Sequence, residues 1–162
     1  EHIFCGQTMS LNYLEHEIIR KRFREPRVHV ALVCAAKSCP AIRPEAYQGQ
    51  RLSMQLEDQS RQFANNTRYV AYDATNETLQ LSPILNWYGD DWRPVGGYLP
   101  WLAARARDPA LKQAIERAAR SETPVAFFDY DWSLNSPVPS GSSPPQAASK
   151  KADFGSGSIT NE

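Results

Sequence analysis

The sequence is poor in the residues on which most familiar site chemistries depend. It holds three cysteines, three histidines and eight glycines in 162 positions. Three cysteines are too few for a disulfide framework, and their spacing matches no common zinc pattern. Cys34 and Cys39 stand five apart rather than in a CxxC, which argues against a thioredoxin-type pair; a local disulfide between them stays open, as does a redox role. Gly96-Gly97 alone is neither a dinucleotide nor a P-loop fingerprint, and no GxSxG elbow occurs, so phosphate cradles and serine hydrolases lack support.

Charge is also unremarkable. Eighteen basic side chains balance eighteen acidic ones, so no chain-wide attraction to nucleic acid or an anionic surface is expected. The basic run from Arg20 to Arg27 is broken by Glu25 and preceded by Glu15 and Glu17, as in a solvated helix face. No stretch approaches the ~20 apolar residues of a membrane span, and Glu1-His2 does not open a signal peptide. The IFCGQ start has no cap or turn, so the domain and any targeting segment are expected to begin upstream.

The pattern predicts one α+β domain over residues 1–135, a small sheet packed with helices, with a disordered tail over 136–162. About half of that tail is Ser, Pro or Gly, which leaves too little apolar area to offset its ordering entropy. Ser10 is the expected N-cap of a helix to Phe23, which Pro26 stops. The apolar run Val28–Cys34 reads as a strand buried on both faces, central in its sheet. An amphipathic helix is expected over 52–64, a hairpin from 69–72 and 78–81, and a short helix from Pro83 closed by Gly89. A helix is also expected from Tyr98 onward, another over 109–120 behind the cap Asp108-Pro109, and a last strand over 124–130.

Candidate chemistry gathers in residues 10–47. A thiol nucleophile needs a lowered pKa, a nearby base and access to solvent. Cys34 stands where the expected strand would emerge into a loop. Ala35 and Ala36 leave room for substrate, and Lys37 offers a charge to a thiolate. His16, on the helix before the strand, is the first choice of base; His29 is the second, read as a satisfied buried histidine. Asp131 either orients a histidine or caps its own turn. Trp87, Tyr88, Trp92, Tyr98 and Trp101 read as core.

The residues Ser10-Leu11-Asn12, Glu15-His16, Pro26 to His29, Ala31 to Pro40 and Tyr130 to Asn135 together resemble the domain-of-unknown-function 547 family, over residues 8–135. The resemblance implies an α+β domain with a thiol-hydrolase-like site. Its catalytic cysteine, histidine and glutamate would map to Cys34, His16 and Glu15. Ala35, Lys37, Ser38 and Asp131 are expected around the substrate from their place beside Cys34 and the last strand, with the Ala35–Ser38 backbone amides as oxyanion donors. The resemblance also implies hydrolysis of an amide in a small thiol peptide such as glutathione. No cofactor, metal, nucleic-acid partner or membrane span is expected from the residues themselves. The alternative is a non-catalytic binding or interaction module with a vestigial site. Bacterial relatives look exported and plant relatives intracellular, so the compartment stays open, with export the expectation for a bacterial chain. The family's earlier Asn-Ala-Tyr-Asn-like segment is not present, so an N-terminally incomplete domain is expected.

Overall fold

The first nine residues, which show no capping or turn signal, pair with themselves. In the computed structural model, which describes residues 1–136, β1 (His2–Phe4) and β2 (Gln7–Met9) form an antiparallel ribbon. Its two-residue turn puts Cys5 and Gly6 at positive φ, as tight hairpins require. Ser10 then caps helix α1 as expected, its Oγ accepting from the Tyr13 backbone N–H at 3.0 Å. After a first turn, Leu11–Tyr13, α1 widens into π geometry over Leu14–Phe23. Hydrogen bonding to i+5 brings side chains five apart onto one face. Arg24, left-handed at φ 50°, ends the helix two residues before Pro26.

The expected strand over 28–34 does not form, and this corrects the sequence reading. Pro26–Val30 is instead a 3-10 helix. Pro26 presets its first turn, and the Glu25 carboxylate accepts from the Arg27 backbone N–H at 3.1 Å. Ala31 and Leu32 both donate to the Val28 carbonyl, at 3.0 and 2.8 Å, so this backbone is satisfied locally rather than in a ladder. Only His29 and Val30 of the run are buried, while Leu32 and Val33 remain exposed.

Helix α2 (Leu52–Ala64) ends at Asn65 as expected and buries Leu56, Phe63 and Ala64. β3 (Val70–Asp73) and β4 (Thr78–Leu81) form the expected hairpin, with Val70 opposite Leu81 and Asp73 opposite Thr78. Asp73 Oδ1 accepts from the backbone N–H groups of Thr75 and Asn76, which fixes the turn. α3 (Pro83–Trp87) follows, but Gly89 does not close the segment; it opens a 3-10 helix, Gly89–Val95. α4 (Tyr98–Ala103) leads to α5 (Pro109–Ala119), whose cap Asp108 accepts from the Leu111 N–H at 2.7 Å. β5 (Val125–Phe127) adds parallel to β4, giving a three-stranded sheet in the order β3-β4-β5.

The core lies between this sheet and α2, α4 and α5. Leu79, Leu81, Leu85, Leu102, Ile115 and Trp92 are completely buried, and Trp92 packs on Trp101 at 4.5 Å. From the first fifty residues, only Val30 joins this cluster. Helix α1 has no buried residue. Among the described residues, no helix is long and apolar enough to cross a membrane. The expected tail from Ser136 onward lies, past that residue, outside the described region.

Candidate active site

Two distant segments build the loop that carries Cys34. Residues 35–38 are laced to residues 131–135 by backbone bonds: Lys37 N to Ser133 O at 2.9 Å, Ser38 N to Asp131 O at 3.3 Å, and Asn135 N to Ala35 O at 2.8 Å. Ser38 Oγ accepts from the Asp131 N–H at 2.9 Å, and Ala36 forms a β-bridge with Leu134. Ala35 takes a left-handed φ of 62°, and Cys39 N bonds Ala36 O at 3.1 Å. The turn so formed swings Cys39 back under Cys34. Their sulfurs stand 3.3 Å apart, and the Cys34 backbone N–H points at Cys39 Sγ at 2.9 Å.

Cys34 is exposed and Cys39 is buried. Cys34 Sγ also lies 3.6 Å from Tyr130 Oη, which the 131–135 lacing brings to the cleft. Partial burial alone would raise the Cys34 thiol. The Ala36 N–H, the Tyr130 hydroxyl and the Cys39 thiol together outweigh it and hold Cys34 below its ordinary 9.0. Burial, with the adjacent Cys34, pushes Cys39 the other way, and burial followed by the Cys34 bond pushes the Tyr130 phenol up. The two thiols are thus differentiated: one is accessible and acidified, the other shielded.

Cys34 opens onto a cleft of about 180 Å³ whose walls include Glu15, His29, Leu32, Trp87, Tyr130 and Trp132. Trp87 and Trp132 stack at 5.6 Å, and both remain exposed. The aromatic group read as core is therefore divided. Trp92 and Trp101 are core, Trp87 is an exposed wall of the cleft, and Tyr88 lies between His29 and Arg20.

His29 is buried and held on two sides. Its ring stacks on Tyr88 at 3.9 Å, and its Nε2 lies 2.8 Å from Asp91 Oδ2. A carboxylate only accepts, so this bond assigns the proton to Nε2 and leaves a lone pair on Nδ1. Nδ1 is buried and has no hydrogen-bond partner among the described residues. Burial, which outweighs the Asp91 carboxylate, lowers the His29 pKa below 6.5 and keeps the ring neutral near pH 7.

Asp91 is in turn gripped by Arg20, at 2.6 Å from Nε and 3.0 Å from Nη2. That bond above all holds the Asp91 carboxyl below its ordinary range. Arg20 also lies over the Tyr88 ring at 4.8 Å, and the Tyr88 hydroxyl donates to Glu15 Oε1 at 3.2 Å. Glu15 and Arg20 are five apart, and π geometry sets both against Tyr88. Burial and the Glu15 carboxylate push Tyr88 up to about 12, so it stays a donor.

The structure places Cys34 and Glu15 on one cleft wall set, together with His29. His16 does not line that cleft. Its Nδ1 sits 3.0 Å from Arg20 Nη1, and its ring stacks at 6.5 Å on Tyr88. Ala35, Lys37 and Ser38 shape the loop but do not line the cleft, and the N–H groups of Lys37 and Ser38 are spent on residues 133 and 131. Asp131 caps its own turn, its Oδ1 accepting from Ser133 N at 2.9 Å, and its other oxygen lies 3.9 Å from Lys37 Nζ. Nothing in the sequence alone marks Tyr130 or Asp91 as a site residue. Tyr130 stood inside the YDWSLN motif beside the candidate Asp131, whereas Asp91 sat in a GDDW segment that carries no local signal.

The model of the family described as "Protein of unknown function, DUF547" matches residues 2–64. The matched part contains Glu15, His16, His29, Cys34 and Cys39. It ends before Trp87, Asp91 and Tyr130, so the resemblance read from the residues alone extends further along the chain than the match does. No curated protein and no solved structure matches the chain.

Proposed function

We propose that this protein is a thiol-dependent amide hydrolase acting on a small peptide such as glutathione, with Cys34 as nucleophile. The observation that carries the reading is the acidified, exposed Cys34 thiol on the same cleft as a neutral, aspartate-held histidine. In the proposed reaction, the Cys34 sulfur attacks the amide carbonyl and His29 takes the thiol proton. That proton passes to the departing amine as the C–N bond breaks, and water then hydrolyses the thioester. Asp91 fixes the imidazole tautomer and steadies the imidazolium.

Two histidines compete for the base. His29 is favoured because it lines the cleft and is held by Asp91, whereas His16 does not line the cleft and its Nδ1 lies against Arg20. Glu15 keeps a place in the cleft, presenting a carboxylate suited to a substrate amino group beside the aromatic wall. The Tyr130 hydroxyl serves as the oxyanion donor, since the Lys37 and Ser38 backbone amides already bond to Ser133 and Asp131. The modest cleft suits a short peptide rather than a folded protein substrate.

The test is release of free amine from glutathione by the intact chain. Cys34→Ala should reduce turnover to background and His29→Gln should lower kcat by roughly 10²–10⁴, while His16→Gln should act far less. Full turnover by Cys34→Ala would refute the reading. The alternative, a non-catalytic binding module, draws on the exposed Trp87 and Trp132 stack. It predicts ligand-dependent quenching of tryptophan fluorescence with no turnover that depends on Cys34.

A further inference from the structure

We infer that Cys34 is also a site of oxidation by small hydroperoxides, with Cys39 as its resolving thiol. The inference stands on the thiol pair and does not require amide hydrolysis. Three features carry it. The sulfurs are 3.3 Å apart with both thiols free, so bond formation needs only a small closing movement. Both cysteines line the cleft but differ in access: Cys34 is exposed to solvent, and Cys39 is buried. The intervening loop is already folded back by the left-handed Ala35 and the Cys39–Ala36 bond, so the chain does not have to rearrange to bring them together.

The chemistry balances in two steps. The Cys34 thiolate sulfur attacks one peroxide oxygen; the S–O bond forms as the O–O bond breaks, and hydroxide or an alkoxide leaves, taking up a proton to give water or an alcohol. The Cys39 sulfur then attacks the Cys34 sulfur of the sulfenic acid. The S–S bond forms, the S–O bond breaks, and the oxygen departs as water with the Cys39 proton. One peroxide is reduced by two electrons and two thiols are oxidised to one disulfide. The product removes the cleft thiol and its contact with Tyr130. On the hydrolase reading, oxidation therefore switches the site off, and a dithiol restores it.

The test uses the full chain carrying Cys5→Ser, so that only the pair can react. After reduction, one equivalent of hydrogen peroxide should remove both thiols. Peptide mapping should find Cys34 joined to Cys39, and dithiothreitol should restore both. Cys39→Ala, checked for folding by circular dichroism, should stop at a dimedone-reactive sulfenic acid on Cys34. Cys34→Ser should slow oxidation of Cys39 by about tenfold or more, as expected for a shielded thiol. Absence of reaction, a disulfide formed only between molecules, or progress of Cys34 to sulfinic acid while Cys39 stays reduced would each overturn the inference. Thiol counting is independent of amide cleavage, so failure of the hydrolase reading would leave this result interpretable.

Discussion

Cys34 and Tyr130 lie ninety-six positions apart in the chain, yet the sulfur and the phenolic oxygen are 3.6 Å from each other. The contact exists because residues 131–135 lace along the Cys34–Cys39 loop. It has a direct consequence for reactivity. The Tyr130 hydroxyl and the Cys39 thiol both favour the Cys34 thiolate, so Cys34 alkylation by iodoacetamide should reach half its limiting rate at a pH below 9.0. Tyr130→Phe and Cys39→Ala should each move that midpoint upward. A downward movement in either variant would contradict the assignment of these groups as donors. Cys39 itself, buried and raised, should label last.

Stability should depend on pH through His29. Its folded pKa lies below 6.5, so the unfolded chain binds this proton more readily than the folded one does. The stabilising contribution of neutral His29 is therefore present above pH 6.5 and lost as pH falls through its lower folded value. Asp91 has the same sign over a more acidic range, below 3.8. Urea midpoints measured from pH 8 down to pH 5 should decline, and His29→Gln should flatten the decline.

Asp91 serves two partners, and its removal strands both. Asp91→Ala leaves Arg20 and the His29 Nε2 without their acceptor, at a cost of about 1–3 kcal/mol in unfolding free energy. Asp91→Asn retains much of the packing but loses the charge, so it should cost less stability while still impairing any His29-dependent turnover. Denaturant melts alongside kcat separate the two effects.

The core lies away from helix α1, and truncations should report this. Leu85→Ala or Leu102→Ala, both completely buried, should cost about 2–5 kcal/mol. Leu11→Ala on the exposed face of α1 should stay within about 0.5 kcal/mol. Chemical denaturation of the three variants checks the contrast.

The sequence revealed elements whose signals are local. Ser10 and Asp108 are legible as caps because capping depends on three or four neighbouring residues. The 70–81 hairpin and α2 followed from period and turn chemistry. The run Val28–Cys34 misled because apolar periodicity cannot show whether a partner strand exists; Pro26 and Glu25 had already committed it to a tight turn. The π widening of α1 was equally hidden, since the same residues fit an α-helix until Tyr88 and Asp91 are placed against them. Within the site, Cys34 could be found by residue type and Glu15 through the family resemblance, but the Asp91–His29–Tyr88 arrangement joins segments about sixty positions apart. Only tertiary structure brings those together.

The central claim is that Cys34 takes an acyl group from a small amide substrate. Acid-quenched intact-mass analysis during glutathione turnover tests it, with hydroxylamine treatment and peptide mapping of the product. The account predicts a hydroxylamine-labile acyl adduct on the peptide containing Cys34, absent from Cys34→Ser. Amide cleavage with no such adduct, or undiminished in Cys34→Ser, would contradict it.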